Sequence, residues 1–272
     1  DYMKSGLLDR AETVFTDLAR IDQRAPQALR HLIAIYQAER DWTKAIENAT
    51  RYEAVPGEPM GRLIAQFECE LADRHRAAGE VEAARAAIAR AYAADSTSVR
   101  AGMLEGRIEV EAGNDRAAIR AFERAARHAP DYLPELLPPL LASYARAGDS
   151  TGARAFLGEM AEHYRGISPV LALTRLVEAE QGTGPAREYL AQQLKDRPSV
   201  RGEAALIDLT LAERADPLAT LNDLKHITDQ LLVRNPSYRC ARCGFGARSH
   251  HWQCPSCKEW GTVKPLLNYA VV

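Results

Sequence analysis

A segment of about 34 residues recurs along most of this chain, and this repeat constrains the fold more than any other feature. In most copies a turn that contains glycine precedes an alanine by about five residues, and a bulky apolar residue follows four positions later. Because one helical hairpin cannot bury both of its faces, such copies must stack on their neighbours. The anchor alanines are spaced by 34, 39, 34, 35 and 33 residues and lie at Ala11, Ala45, Ala84, Ala118, Ala153 and Ala186.

The period and the order of small and bulky residues resemble the tetratricopeptide repeat. This resemblance implies an all-α fold, a right-handed superhelical solenoid with a concave and a convex side. We expect about six repeats and two closing helices within residues 1–234, with the front of the first repeat missing. An ordinary helical bundle that shares short periods by chance is the alternative.

Four cysteines near the end of the chain form two Cys-x-x-Cys pairs, Cys240/Cys243 and Cys254/Cys257. Two thiolates three positions apart in a tight turn can hold one face of a tetrahedral ion, and a second turn closes the other face. The pattern therefore predicts a small metal-binding module over residues 235–272, with one zinc or iron ion bound by four sulfurs. Two structural disulfides are the alternative interpretation, but paired spacing of this kind is typical of metal sites.

Four aromatic residues flank these cysteines, namely Tyr238, Phe245, Trp252 and Trp260. A module of this size has little core of its own, so the ion and these side chains must stabilise it. His250 and His251 lie between the pairs, and we expect them to be exposed loop residues because four cysteines already complete the site. A closed site leaves no position for water or substrate, and the sequence carries no phosphate-binding loop or other catalytic motif. We therefore expect no enzymatic activity.

The composition is that of a folded globular protein, with 46% hydrophobic and 26% charged residues in a chain of 272. A net charge of −2 gives no general attraction to nucleic acid or to acidic membranes. Five basic residues and one acid lie after position 234, so the module is basic before the thiolates are counted. Only Cys69 lies outside the cluster, which indicates a reducing compartment.

The order of parts, with repeats, a short helical join and a rubredoxin-type module, resembles the lipopolysaccharide assembly protein B family of Gram-negative bacteria. The motifs Tyr238-Arg-Cys-x-x-Cys-Gly-Phe and Trp252-x-Cys-Pro-Ser-Cys-x-x-Trp260, followed by Thr262-Val-Lys-Pro265, carry most of the resemblance. Cys240, Cys243, Cys254 and Cys257 match the metal ligands of that family one for one. The likeness covers nearly the whole chain.

The resemblance implies an adapter that regulates lipopolysaccharide biosynthesis at the cytoplasmic face of the inner membrane. Such an adapter brings the deacetylase that commits precursors to lipid A synthesis to a membrane-bound AAA+ protease. An inner-membrane regulator that senses lipopolysaccharide is the third implied partner. The family's anchor is an N-terminal helix, which we expect to be absent from this chain, and a homodimer is also open.

The first helices of tetratricopeptide-like repeats line the concave groove. Six arginines that suit a partner with carboxylate groups fall there in this register: Arg30, Arg76, Arg100, Arg107, Arg146 and Arg175. Solvated helix faces are the alternative for these side chains. An electron-transfer module with iron in the four-cysteine site is one alternative to the adapter. A nucleic-acid-binding ribbon is another, but the module is nearly neutral once the thiolates and the ion are counted, and this disfavours binding to phosphates.

Overall fold

A computed structural model of the protein describes residues 8–21, 26–54, 59–213, 225, 228–229 and 236–266. Twelve helices and three short strands lie within these residues. The helices are α1 (Leu8–Ile21), α2 (Pro26–Glu39), α3 (Trp42–Glu53), α4 (Gly61–Ala77), α5 (Val81–Ala94), α6 (Val99–Glu111), α7 (Asp115–His128), α8 (Leu133–Ala147), α9 (Ser150–His163), α10 (Ser168–Gln181), α11 (Thr183–Asp196) and α12 (Val200–Glu213). A 3₁₀ turn (Pro130–Tyr132) precedes α8, and the strands are β1 (Tyr238–Cys240), β2 (Gly246–Ala247) and β3 (Val263–Pro265).

In the four described pairs from α2 to α9, a turn follows the first helix of each pair. A residue of this turn adopts a left-handed backbone, with φ of 58° at Arg40, 76° at both Gly79 and Gly113, and 68° at Gly148. Glycine adopts this conformation without the steric cost that a side chain brings, which explains its place in the repeat. The next helix then begins within a few residues, as at α9, where Asp149 accepts a hydrogen bond from the Gly152 N–H.

All six anchor alanines are buried near the start of a second helix, and none is more than 3% exposed. In the pair formed by α4 and α5, Ala84 lies in one apolar cluster with Ala65 and Ala72 of the preceding helix. Small side chains on both helices let the two backbones approach closely, while larger residues such as Ile88 complete the packing. The predicted all-α fold of tetratricopeptide-like helix pairs, followed by a four-cysteine module, is confirmed.

Arginine side chains also donate hydrogen bonds to backbone carbonyl groups of the preceding repeat, about one repeat period earlier in the sequence. Arg74 donates to the backbone oxygen of Arg40 at 3.0 Å, and Arg197 donates to that of Tyr164 at 3.2 Å. The partners are 34 and 33 residues apart, which is one repeat period. Each arginine therefore satisfies a carbonyl group in the preceding repeat, and the same register serves both apolar and polar contacts.

The chain divides into two compact units, Asp1–Ala121 and Phe122–Val272. The first expected closing helix is α12, whereas most of the second, over residues 217–234, lies outside the described residues. Residues 1–7, which belong to the expected first repeat, also lie outside them. Within that second segment Lys225 is helical, and its Nζ pairs with Asp208 of α12 at 2.9 Å. The division into residues 1–234 and 235–272 stays a prediction. None of the described helices has the length and hydropathy needed to span a membrane.

Ala84→Leu tests the close approach of paired helices. Three added carbons at this fully buried position must displace the facing helix, so we expect a loss of about 1–3 kcal/mol of stability. Ala86→Leu, two residues away on the exposed side of α5, is the matched control and should change stability by less than about 0.5 kcal/mol. Urea unfolding followed by helical circular dichroism measures both, and equal midpoints for the two variants would contradict the packing described here.

Candidate functional site

The two Cys-x-x-Cys pairs lie in turns with the same backbone hydrogen bonds. In the first turn the Gly244 N–H donates to the carbonyl of Cys240, and in the second the Lys258 N–H donates to that of Cys254, both at 3.0 Å. The N–H groups of the first cysteines donate in turn to Phe245 at 2.9 Å and to Glu259 at 2.8 Å. Each turn therefore forms a rigid knuckle that presents two sulfurs on the same side.

The residue after each second cysteine has a left-handed backbone, with φ of 77° at Gly244 and 60° at Lys258. The geometry of the knuckle requires this conformation, because the chain must reverse immediately after the cysteine. Glycine meets the requirement in the first knuckle without strain. The second knuckle uses a lysine, which carries the steric cost that any side chain has in this region.

The knuckles bring the sulfurs of all four cysteines within 4.8 Å of one another. The Sγ atoms of Cys240 and Cys257 are 3.8 Å apart, and those of Cys243 and Cys254 are 3.7 Å apart. A tetrahedral ion with metal–sulfur bonds of about 2.3 Å would place its ligands about 3.8 Å from one another, so the arrangement fits zinc or iron. The four cysteines are positioned to bind one metal ion, and the geometry suits both metals.

The thiols of this cluster differ in their readiness to ionise. The Thr262 hydroxyl, 3.2 Å from the sulfur of Cys240, and the backbone N–H groups of Cys243 and Arg242 lower the pKa of Cys240 to about 6. Burial, followed by hydrogen bonding to the other sulfurs, raises the pKa of Cys257 to about 12. The Phe245 N–H also lowers the pKa of Cys243, so two of the thiols lose their protons more readily than Cys257 does. A divalent cation would supply the positive charge that four thiolates need.

A three-stranded antiparallel sheet in the order β2-β1-β3 supports the knuckles, with Cys240 opposite Val263. Cys240, Cys254 and Val263 form its buried core, and Tyr238 and Phe245 pack against them. Cys243, by contrast, is exposed and Cys257 is half-buried. One edge of the four-sulfur cluster therefore faces solvent, while the other is enclosed by the module.

Tyr132, in the 3₁₀ turn before α8, is the centre of a contact between the module and the helices of the same unit. Its ring stacks on Trp252 with 5.3 Å between centroids, and its hydroxyl donates to the Gly261 carbonyl at 3.3 Å. Lys264 places its ammonium group 4.1 Å from the centre of the same ring. These contacts show that the module packs on the helices through Tyr132.

His250 lies within this contact and is half-buried, and His251 is half-buried as well, so the expectation that both are exposed loop residues was wrong. The His250 ring meets the edges of Tyr132, Trp252 and Tyr238, with centroid distances of 5.4, 4.6 and 5.8 Å. The Tyr238 hydroxyl also donates to Glu135 of α8. No sequence signal marked Tyr132 or Glu135, because their role depends on a contact between segments more than 100 residues apart.

The six arginines predicted to line the groove fall into two groups. Arg76 and Arg100 are held by acids within their own unit, since Arg76 pairs with Asp73 and with Glu111 at 2.6 Å, and Arg100 with Glu70 at 2.7 Å. Arg100 is 6% exposed, so its guanidinium is committed to the fold. The other four are exposed, namely Arg30, Arg107, Arg146 and Arg175. Among these, Arg30 lies 5.8 Å from the centre of the Tyr52 ring, and Arg146 donates to the Ser143 hydroxyl.

Comparisons with known proteins match both the helical repeats and the four-cysteine module. A family profile described as a rubredoxin metal binding domain matches residues 238–265. Lipopolysaccharide assembly protein B of Escherichia coli strain K12 is 33% identical over 268 residues, which cover 98% of this chain and 69% of that protein. The protein of the same name from Haemophilus influenzae is 28% identical over 98% of this chain and 68% of its own length. The C-terminal part of a repeat protein from Cytophaga hutchinsonii matches with a TM-score of 0.45 and 14% identity over 84% of this chain and 90% of that structure.

Cys254→Ser tests the metal centre. This cysteine is fully buried, and three sulfurs with one hydroxyl bind zinc or iron far more weakly than four sulfurs. We expect the metal content of the purified protein to fall from about one ion per chain to well below half, measured by elemental analysis. Cys69→Ser, which changes the buried cysteine of α4, is the control and should keep the ion. Equal metal content in Cys254→Ser and the unchanged protein would refute the assignment.

Gly244→Ala tests the left-handed position of the first knuckle. A methyl group there would meet no atom within 4 Å, so the expected loss of about 1 kcal/mol comes from the backbone alone. Lys258→Ala is the control, because a side chain already occupies the equivalent position and its cost is unchanged. Urea unfolding is followed by tryptophan fluorescence, with Trp42 of α3 replaced by phenylalanine in all samples so that the signal comes from Trp252 and Trp260 of the module. Equal shifts in both variants would show that the two positions do not differ in strain.

Proposed function

The chain belongs to the lipopolysaccharide assembly protein B family, and from this membership we propose that it is a non-enzymatic adapter that regulates lipopolysaccharide biosynthesis. The observation that supports this proposal is the match of 33% identity over 98% of the chain, which includes both the repeats and the four-cysteine module. Stacked helix pairs offer long surfaces for protein partners, and a closed four-sulfur site has no open position for a substrate.

The adapter presents the deacetylase of the lipid A pathway to a membrane-bound AAA+ protease at the cytoplasmic face of the inner membrane. A regulator that senses lipopolysaccharide in that membrane is its third partner. Nucleic acid is not a partner in this proposal. Two basic residues of the module support that part, because Arg242 pairs with Glu259 and Lys264 lies over Tyr132, so both charges serve contacts within the protein.

Cys240, Cys243, Cys254 and Cys257 hold the ion in this proposal, and the ion acts as a structural cross-link. Bound metal would join the two knuckles, and its binding energy would contribute directly to folding. The knuckles carry Trp252 and Gly261, which meet Tyr132 on the helices. The metal centre therefore supports the surface by which the module contacts the rest of its unit, and partners can recognise both parts together.

An electron-transfer module with iron is the second candidate, and the exposure of Cys243 favours it. A cluster edge near the protein surface shortens the distance to an electron-transfer partner, and the exposed Cys243 places such an edge here. Elemental analysis and visible absorption before and after addition of dithionite distinguish the two functions. Zinc, or iron without reversible bleaching, supports the adapter alone, whereas reversible bleaching supports electron transfer.

We propose that partner binding uses the exposed arginines of the first helices. Arg107 and Arg175 are the best test residues, because each is exposed and neither makes an ion pair within the described residues. Arg76 and Arg100 are less suited to this role, since their acidic neighbours already neutralise them. A carboxylate of a partner can pair with a guanidinium through two parallel hydrogen bonds.

The adapter can be tested with the purified deacetylase and the purified protease. We expect the chain to bind the deacetylase and to increase its degradation by the protease. The double variant R107E and R175E should bind the deacetylase about tenfold more weakly, because two exposed charges are reversed. R120E, which reverses an exposed arginine of the second helix α7, is the control. Calorimetry gives the affinities. Absence of deacetylase binding would refute the adapter, and binding unchanged in the double variant would refute the role of these arginines.

A further inference from the structure

An apolar depression of about 450 Å³ lies between α8, α9 and α10. Leu141 and the ring of Tyr144 form its wall on α8, Ala153 lines it on α9, and Ala172 and Leu176 line it on α10. Ala145, at the edge, is exposed, so the depression opens to solvent along this side. Its lining can therefore hold one or two aliphatic side chains, but it does not enclose them.

Arg175 is the charged residue of this lining. Its side chain is exposed, and it forms no ion pair within the part of the chain that the structure describes. Two nearby acids have other partners, since Asp149 accepts from the Gly152 N–H at 2.8 Å and Glu180 pairs with Arg154. Glu178 lies one turn further along α10 and lines a neighbouring depression with Arg175. The depression thus combines an apolar floor with a guanidinium that can accept a new anion.

The polar group of Tyr144 does not compete for such an anion. Its hydroxyl donates to Glu123, and burial together with this bond raises its pKa. The phenol therefore contributes an apolar ring to the wall and stays neutral. Recognition at this place then rests on the contact of aliphatic groups with the floor and on the pairing of one carboxylate with Arg175.

We propose that this depression, defined by Leu141, Tyr144, Ala153, Ala172, Arg175 and Leu176, binds a partner peptide that ends in an aliphatic residue. The aliphatic side chain enters the depression, and the terminal carboxylate directly beside it pairs with Arg175. The open side of the depression lets the rest of an extended peptide continue along the surface, and a peptide is the ligand that a scaffold for protein partners requires. This inference rests on the proposed function as a scaffold for protein partners.

A fluorescein-labelled hexapeptide, Gly-Ser-Gly-Ser-Ala-Leu with a free C-terminal carboxylate, tests the proposal by fluorescence anisotropy. We expect it to bind at least about tenfold more tightly than the same peptide with a C-terminal amide. Arg175→Gln should remove this difference, whereas Arg165→Gln, at an exposed arginine outside the depression, should keep it. No binding, or equal binding of acid and amide, would overturn the proposal.

A second pair of variants tests the apolar floor without a change in charge. Ala145→Leu fills the depression from its exposed edge, and Ala142→Leu adds the same side chain at an exposed position of α8 outside it. We expect only Ala145→Leu to weaken peptide binding, by about tenfold. Equal effects of the two, or displacement of the peptide by sodium decanoate at similar concentration, would contradict a peptide site.

Measurement of deacetylase binding with the same protein samples distinguishes a failure of this inference from a failure of the proposed function. If the deacetylase binds and the peptide does not, the depression is not a peptide site and the adapter stands. If the peptide binds with the expected sensitivity to Arg175→Gln and the deacetylase does not bind, the site stands and the choice of partner is wrong.

Discussion

Close approach of paired helices at buried alanines is the constraint on which the repeats depend. A helix pair of this kind has two apolar faces, and one of them must be covered by the next pair. The alanine brings the two backbones together, as Ala84 does opposite Ala65 and Ala72, and the larger residues then fill the space that remains. Hydrogen bonds from an arginine to a backbone carbonyl one repeat earlier, such as that from Arg74 to Arg40, follow the same register. The repeat period therefore sets both the apolar packing and the polar contacts between repeats.

The four-cysteine module meets a different constraint, since three short strands and a few aromatic rings bury little apolar surface. Two matched knuckles hold the sulfurs at the separation a tetrahedral ion needs, and the ion would add the stability that the small core lacks. The module then uses Trp252 and His250 to pack on Tyr132. Its aromatic residues therefore serve the contact with the helices as much as its own core, which explains their number in so short a segment.

Some arginines of the first helices form ion pairs within the fold, and others face solvent. Arg100 looked like a groove residue from its place in the repeat, yet it is buried against Glu70 and works within the fold. Arg175 also lies on a first helix but remains exposed beside an apolar depression. Both arginines were expected in the groove, and only Arg100 is buried and paired with an acid. Register alone therefore does not assign a function to an arginine.

The sequence by itself determined the helix pairs and the four-cysteine cluster, because both arise from short-range spacing. The alanine–bulky pattern lies within single helices, and each knuckle within six residues, so local geometry brings the groups together. Only the tertiary structure decided that His250 is half-buried, that Tyr132 carries the contact with the module and that Arg76 is paired with Glu111. These outcomes depend on residues 35 to more than 100 positions apart, whose proximity no local pattern records.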